Sequence, residues 1–281
     1  MVTVVLALLG WIGLALGWSW WYFRHCTLTR SPVGVFNLQD VGIMIGGVVL
    51  VPFLYLVLPL WLVGGLLTLS TISVLYIAGE PILHSPPAIW LAILLVVGTD
   101  FGAASLLSAG SATFLTCNDL VLVLVIIGLT NLWAQSGMKA REVTILAAIL
   151  AVHDQIATSW LPLTGEMQHR LMALPFAPHI AWGVPNSSMY GSIGLGDLLI
   201  AATFPLVMRK AFGRAAGISA LAIGFATIGG LLLLLWWAAT PTMFSVMVLL
   251  GPVMIAQYCY WLRQIGPERP TWQYFQAEPL H

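Results

Sequence analysis

A chain of 281 residues in which 60% are hydrophobic and 7% charged, with a mean hydropathy of +0.97, carries more apolar surface than a water-soluble domain can bury. Lys plus Arg number 10 and Asp plus Glu number 10, and the resulting formal net charge of +0 leaves no basic footprint for a nucleic-acid partner. Cys26, Cys117 and Cys259 form neither a C-x-x-C pair nor an even-numbered framework, which removes a disulfide scaffold from consideration.

The apolar runs predict an all-α, polytopic membrane protein, one domain over residues 1–281. Nine spans are expected, at about 2–23, 41–58, 60–79, 88–107, 116–133, 143–161, 191–208, 216–237 and 241–262, followed by a short, polar, irregular tail, 263–281. The first run lacks a basic flank and is too long for a signal-peptide core, so it is read as a retained span. Pro52 and Pro59 permit either a tight hairpin of two helices or one overlong bent helix over 41–79, and the distribution of cations favours the two. With nine spans, Arg24, Arg30, Lys139, Arg141, Arg209, Lys210, Arg214, Arg263 and Arg269 share one side and Arg170 lies on the other. The positive-inside rule then places the N-terminus outside and the C-terminus in the cytosol. Trp18, Trp20, Trp21, Trp133, Trp160, Trp236 and Trp237 fall near span ends, as interfacial belts do. The pairs Gly46-Gly47, Gly64-Gly65 and Gly229-Gly230 predict close helix contacts.

Acids at membrane depth are the chemical signal, because each costs about 3 kcal/mol to insert unless it faces a wet or polar cavity. Gly194-Leu195-Gly196-Asp197 opens the seventh span, where glycines on either side of Leu195 free the backbone and admit another chain closely. The plainer reading of Asp197 is a cap on the first helical turn. In the sixth span, Asp154 falls about 11 Å before the outer end at Leu161 and Asp197 about 9 Å past Gly191, at a rise of about 1.5 Å per residue. Consecutive antiparallel spans at matched depth bring two carboxyls face to face, where they share one proton and act as base and acid together. Asp100 in the fourth span lies at similar depth and is the competing partner; its plainer reading is a buried acid satisfied by hydroxyls or amides. Asn118 and Asp119 read as helix caps, and Asp40 and Glu80 as boundary residues. His153 projects about 100° around the helix from Asp154 and reads as a polar neighbour or an auxiliary group. The six histidines have no paired ligand spacing, so neither a metal nor a cofactor is expected.

An acid in span six, Gly-Leu-Gly-Asp opening span seven and a Pro-led span nine resemble the presenilin and signal peptide peptidase family of intramembrane aspartyl proteases. The resemblance implies a presenilin-like fold, a catalytic pair of Asp154 and Asp197, Gly194, Leu195 and Gly196 beside the substrate strand, and Pro241, Thr242 and Met243 at the docking position of span nine. It departs from the family in His153, where a tyrosine is usual, and in Pro241-Thr242-Met243, where the family has Pro-Ala-Leu. The orientation is similar to the signal peptide peptidase branch and implies single-span membrane or signal-peptide substrates of type II orientation, in contact with membrane lipids, with oligomeric state left open. The loop 162–190, with Met167, His169, Arg170, Leu171, Met172, Leu174 and Phe176, reads as an interfacial segment or a gate on substrate entry. Three other readings stay open: a prepilin-peptidase-type protease pairing Asp100 with Asp197, a proton-coupled transporter using Asp100, Asp154 and Asp197 as a relay, and a catalytically silent helix-binding relative.

Overall fold

The computed structural model describes residues 2–28, 36, 38–107, 110–161, 163–183, 190–238, 244–271 and 273–274. Among them the chain is helical apart from one hairpin: α1 (Val2–His25), α2 (Leu38–Val57), α3 (Leu60–Leu83), α4 (Pro86–Leu106), α5 (Ala112–Gln135), α6 (Ala140–Gln155), a π-helical turn (Ile156–Trp160), α7 (Leu163–Leu171), β1 (His179–Gly183), β2 (Tyr190–Gly194), α8 (Leu195–Phe212), α9 (Arg214–Ala238) and α10 (Met247–Ile265). Seven helices, α1 to α6 and α9, are long and apolar enough to cross a membrane. α8 falls outside that group for a physical reason. Every residue from Leu198 to Phe212 is buried, and α1, α5, α6, α9 and α10 all pack on it. A helix sheathed by protein does not have to be lipophilic, and α8 carries Asp197, Arg209 and Lys210.

Local chemistry sets the helix ends. Ser111 accepts a hydrogen bond from the Phe114 amide at the start of α5 (3.2 Å). Glu142 closes a capping box on α6 by accepting from the Lys139 amide (2.9 Å). Pro86 and Pro87 open α4, where a missing amide hydrogen costs nothing. α8 ends at Gly213, whose φ of +99° disfavours a side chain.

At one end of the bundle, side chains stitch α5, α6, α8 and α10 together. The Lys210 ammonium donates to the carbonyls of Ala134 (2.7 Å) and Met138 (2.6 Å), filling the orphan acceptors where α5 ends. Glu268 accepts from the Ala140 and Arg141 amides at the start of α6 (3.1 and 3.0 Å) and from the Tyr258 hydroxyl of α10 (2.8 Å). Tyr274 is fully buried, stacks on Phe23 and accepts a hydrogen bond from Arg209 Nε (3.2 Å). The tail expected to be irregular is therefore docked into the fold as far as it is described. Its polar residues are there to satisfy helix ends. The Arg209 guanidinium also lies 5.1 Å over the Trp20 ring, so this tryptophan serves packing within the protein rather than the interfacial belt.

The glycine pairs do not mark helix contacts. A Cβ added at Gly46, Gly47, Gly64, Gly65 or Gly230 meets nothing within 4 Å, and only Gly229 touches a neighbour, Leu9 Cδ2 at 3.3 Å. The close approaches occur at single glycines instead. A Cβ at Gly217 lies 2.6 Å from Arg209 Cβ and 2.7 Å from the Trp20 ring, and one at Gly251 lies 2.9 Å from Ala151 Cβ and 3.0 Å from the Ala147 carbonyl. Gly217→Ala and Gly65→Ala receive the same gain in helix propensity, so their difference isolates the clash. Gly217→Ala is expected to lose about 2 kcal/mol of stability, as overpacked sites do, while Gly65→Ala loses none. Thermal unfolding of the two variants in one detergent measures it, and equal midpoints would contradict the packing described.

Candidate active site

β2 runs without a break into α8. Gly194 is the N-cap, with φ −63° and ψ 144°, a conformation open to any residue. Leu195, Gly196 and Asp197 then occupy the first turn. The N-cap position thus belongs to Gly194, and Asp197 is the third residue of the helix. Its carboxyl meets that of Asp154, side chain to side chain, in hydrogen-bonding contact. Two carboxyls make such a bond only if one holds a proton. The contact lies deep in the bundle yet stays reachable, since 23% of the Asp154 side chain is accessible and Asp197 is partly exposed.

Asp154 is the penultimate residue of regular α6, and the π turn begins two residues later. Such a turn carries one extra residue and rotates the side chains beyond it around the helix axis, and it recurs at functional sites. The close approach at Gly251 fixes α10 against α6 one turn from Asp154, and the segment leading into α10 then passes the acid. Ser245 Oγ donates to Asp154 Oδ2 at 3.1 Å. On the other oxygen, His153 Nδ1 lies 3.3 Å from Oδ1. His153 thus touches the acid that its place on the helix predicts it to point away from, because the imidazole folds back along the helix surface.

The antiparallel hairpin pairs Ile180 with Ile193 and Trp182 with Gly191. The Leu195 amide donates to the Pro178 carbonyl at 2.9 Å and extends the ladder to the start of α8. The Ala181 amide points away from β2, and here a helix side chain replaces a strand: Asp119 Oδ1 accepts from it at 3.0 Å. Asn118 Nδ2 donates to the Ala177 and His179 carbonyls (3.2 and 3.3 Å), and Asp100 Oδ2 accepts from the Phe176 amide (2.8 Å). All three side chains are buried. The outer edge of β1 is closed in this way, and the far edge of β2 has no strand beside it among the described residues. His179, buried behind the hairpin and pushed down to about 4 by that burial, is neutral at physiological pH and adds no charge to this end.

The structure accordingly places the sequence-predicted residues apart. Asp154 and Asp197 are together with His153 against them, whereas Asp100 is engaged by the Phe176 amide. The plainer reading of Asp100 therefore holds for Oδ2, whereas its Oδ1 is buried with no hydrogen-bond partner among the described residues. Asn118 and Asp119 are not caps, since α5 begins at Ala112 with Ser111 as its cap and they sit about two turns inside. Gly194 and Gly196 are exposed, and a Cβ at Gly196 meets nothing within 4 Å, so their smallness leaves space beside Asp197 rather than permitting an unusual backbone. Pro241, Thr242 and Met243 lie outside the described residues. The seventh helix starts at Leu195 rather than at 191, because Tyr190–Gly194 is strand. The loop 162–190 contains a helix and half a hairpin, and Leu171 and Phe176, expected at the lipid interface, are buried in protein. Sequence reasoning missed Ser245, which has no motif around it, and the hairpin anchors, whose partners are backbone groups some 60 residues away (|i−j| of 59 to 76). No family model matches the chain, and no curated protein matches it.

Asp119→Asn keeps a carbonyl acceptor for the Ala181 amide, while Asp119→Leu strands that amide at a cost of about 1–3 kcal/mol. Hydrogen exchange across residues 177–183 is expected to accelerate in Asp119→Leu and to stay near wild type in Asp119→Asn. Equal exchange in all three proteins would remove the anchoring role.

Proposed function

We propose that this protein is an intramembrane aspartyl protease with nine membrane spans, cleaving single-span or signal-peptide substrates at Asp154 and Asp197. The observation that carries the reading is the carboxyl–carboxyl contact at a deep but accessible point of an apolar bundle. A pair holding one proton has both tools for peptide hydrolysis: the ionised acid takes a proton from water as its oxygen attacks the scissile carbon, and the protonated acid donates to the carbonyl oxygen. A helical substrate keeps its carbonyls hydrogen-bonded, so cleavage requires an unwound segment. The unpartnered edge of β2, leading directly to Gly194 and Asp197, supports docking of such a segment as an added strand. Gln168 of α7 donates to Ser192 Oγ on β2 at 2.7 Å, and Arg170 of α7 donates to the Leu58 carbonyl at 2.6 Å. α7 so placed between the end of α2 and the strand supports a gating role.

α8, buried on every side by its neighbours, and α10, which packs one face on α6 and leaves the other outward, complete the count of nine in this reading. The orientation, N-terminus outside and C-terminus cytosolic, draws support from the grouping of Lys139, Arg141, Arg209, Lys210 and Arg269 with the ends of α5, α6 and α8, opposite Arg170 and the hairpin. The engagement of Asp100 with the Phe176 amide counts against both the prepilin-peptidase pairing and a three-acid proton relay.

Purified protein incubated with a single-span reporter peptide tests the reading. Asp154→Asn and Asp197→Asn are each expected to abolish cleavage, the double variant to be no worse, and Asp100→Asn to retain it. Wild-type protein that cleaves no single-span reporter, or cleavage that survives Asp154→Asn, would sink the proposal. Gly196→Ala probes the docking strand separately. It meets no atom of the resting protein, so folding is expected to be unchanged while kcat/KM for the reporter falls at least tenfold, a difference of about 1.4 kcal/mol.

A further inference from the structure

The two acids of the pair are not equivalent in their surroundings, and we infer from this which of them carries the proton. Ser245, with His153, positions Asp154 as the ionised member, leaving Asp197 as the protonated one. This assignment rests on the protease reading for its consequence in catalysis, though its physical content concerns only the pair.

The two acids differ in their donors. Asp154 has a polar partner at each oxygen: the Ser245 hydroxyl donates to Oδ2 (3.1 Å), and His153 Nδ1 lies 3.3 Å from Oδ1. Among the described residues, the side-chain partner of Asp197 is Asp154. A serine hydroxyl donates to a carboxylate more strongly than to a neutral carboxyl, so it favours charge on the acid it touches. One effect opposes this. Asp197 stands in the first turn of α8, where the helix dipole favours a negative charge. The magnitudes decide between them. The dipole acts as about half a charge spread over the helix end. A hydrogen bond to a charged group is a directed contact, roughly twice as strong as one between neutral groups, and the Ser245 hydroxyl makes one at Oδ2. The opposite dipole effect on Asp154 is weak, since the π turn carries the helical rod on to Trp160 and displaces its C-terminal end from the acid.

No other charge disturbs the balance among the described residues. The titratable side chains in contact with Asp154 are His153 on its own helix and Asp197 on α8, and the lead-in to α10 brings only the Ser245 hydroxyl. Arg170 on α7 is directed to the Leu58 carbonyl, Arg209 and Lys210 on α8 are engaged at the opposite end of the bundle, and Arg263 stands in the last turn of α10, more than about four turns from Ser245.

These protonation states set the roles in the reaction. The Asp154 carboxylate takes a proton from water as the water oxygen bonds to the scissile carbon. Asp197 gives its proton to the carbonyl oxygen as the C=O double bond becomes single. Asp154 is left protonated and Asp197 ionised, with a neutral tetrahedral diol between them. Ser245 touches no reacting atom and is a positioning residue, acting through Asp154.

Infrared spectroscopy of the full-length protein in detergent at neutral pH reads the proton directly, through the C=O stretch of a protonated carboxyl. A band belonging to the pair is expected in wild type, absent in Asp197→Asn and retained, shifted, in Asp154→Asn. In Ser245→Ala the band should move and kcat for the reporter should fall roughly 10- to 100-fold at nearly constant KM, the range that loss of a hydrogen bond to a charged group corresponds to, with recovery in Ser245→Thr. A band that survives Asp197→Asn, or one lost in Asp154→Asn, overturns the assignment. A Ser245→Ala protein with wild-type band and wild-type kcat overturns the role of Ser245. If wild type cleaves nothing yet the band behaves as expected, the protease reading fails and the proton assignment stands.

Discussion

Two carboxyls pressed together inside an apolar bundle cannot both be charged. At about 4 Å, two like charges repel by about 4 kcal/mol even at an effective dielectric of 20, and removal from water adds to that. Contact between Asp154 and Asp197 therefore requires a shared proton, and a shared proton requires the two helices to be held in register. α8 is fixed because it is packed on all sides. α6 is fixed twice, by the close approach of α10 at Gly251 and by Glu268 on its N-terminal amides. The remainder of the fold can be understood as support for that one distance.

Acids among the apolar helices serve two different purposes here. Asp154 and Asp197 face each other, whereas Asp100 and Asp119 each accept a backbone amide of the segment that leads into the hairpin. The hairpin lies against helices whose own backbone groups are already paired, so its outward amides and carbonyls have to find side chains. Asn118, with one donor group serving two carbonyls, does the same for acceptors. This arrangement closes the β1 edge of the small sheet; the β2 edge, which continues into Asp197, has no strand beside it among the described residues.

The two ends of the bundle divide the work. One end is locked by Lys210, Arg209, Glu268 and Tyr274, which fill the orphan groups of helix termini and tie the tail to α1, α5, α6 and α8. The other end holds the acids, the π turn, α7 and the hairpin. α2 and α3 are packed mainly on one side and present broad apolar surfaces outward.

Composition and hydrophobic runs by themselves determined that this is a helical protein with apolar, membrane-length segments, because the need to bury or solvate apolar surface acts on every residue and leaves a one-dimensional trace. Helix rise alone put Asp154 and Asp197 at the same depth, since depth along a helix is a linear function of residue number. Tertiary structure alone decided the rest. Asp100 has the same depth as the pair but is met by the Phe176 amide, and no count along the chain separates these cases. The glycine pairs failed as markers of close contact because a small residue permits an approach without requiring one. Ser245, Asn118, Asp119 and Glu268 act through single hydrogen bonds to residues distant in sequence. A hydrogen bond of that kind imposes no periodicity, and it becomes visible only when the chain has brought its two ends together.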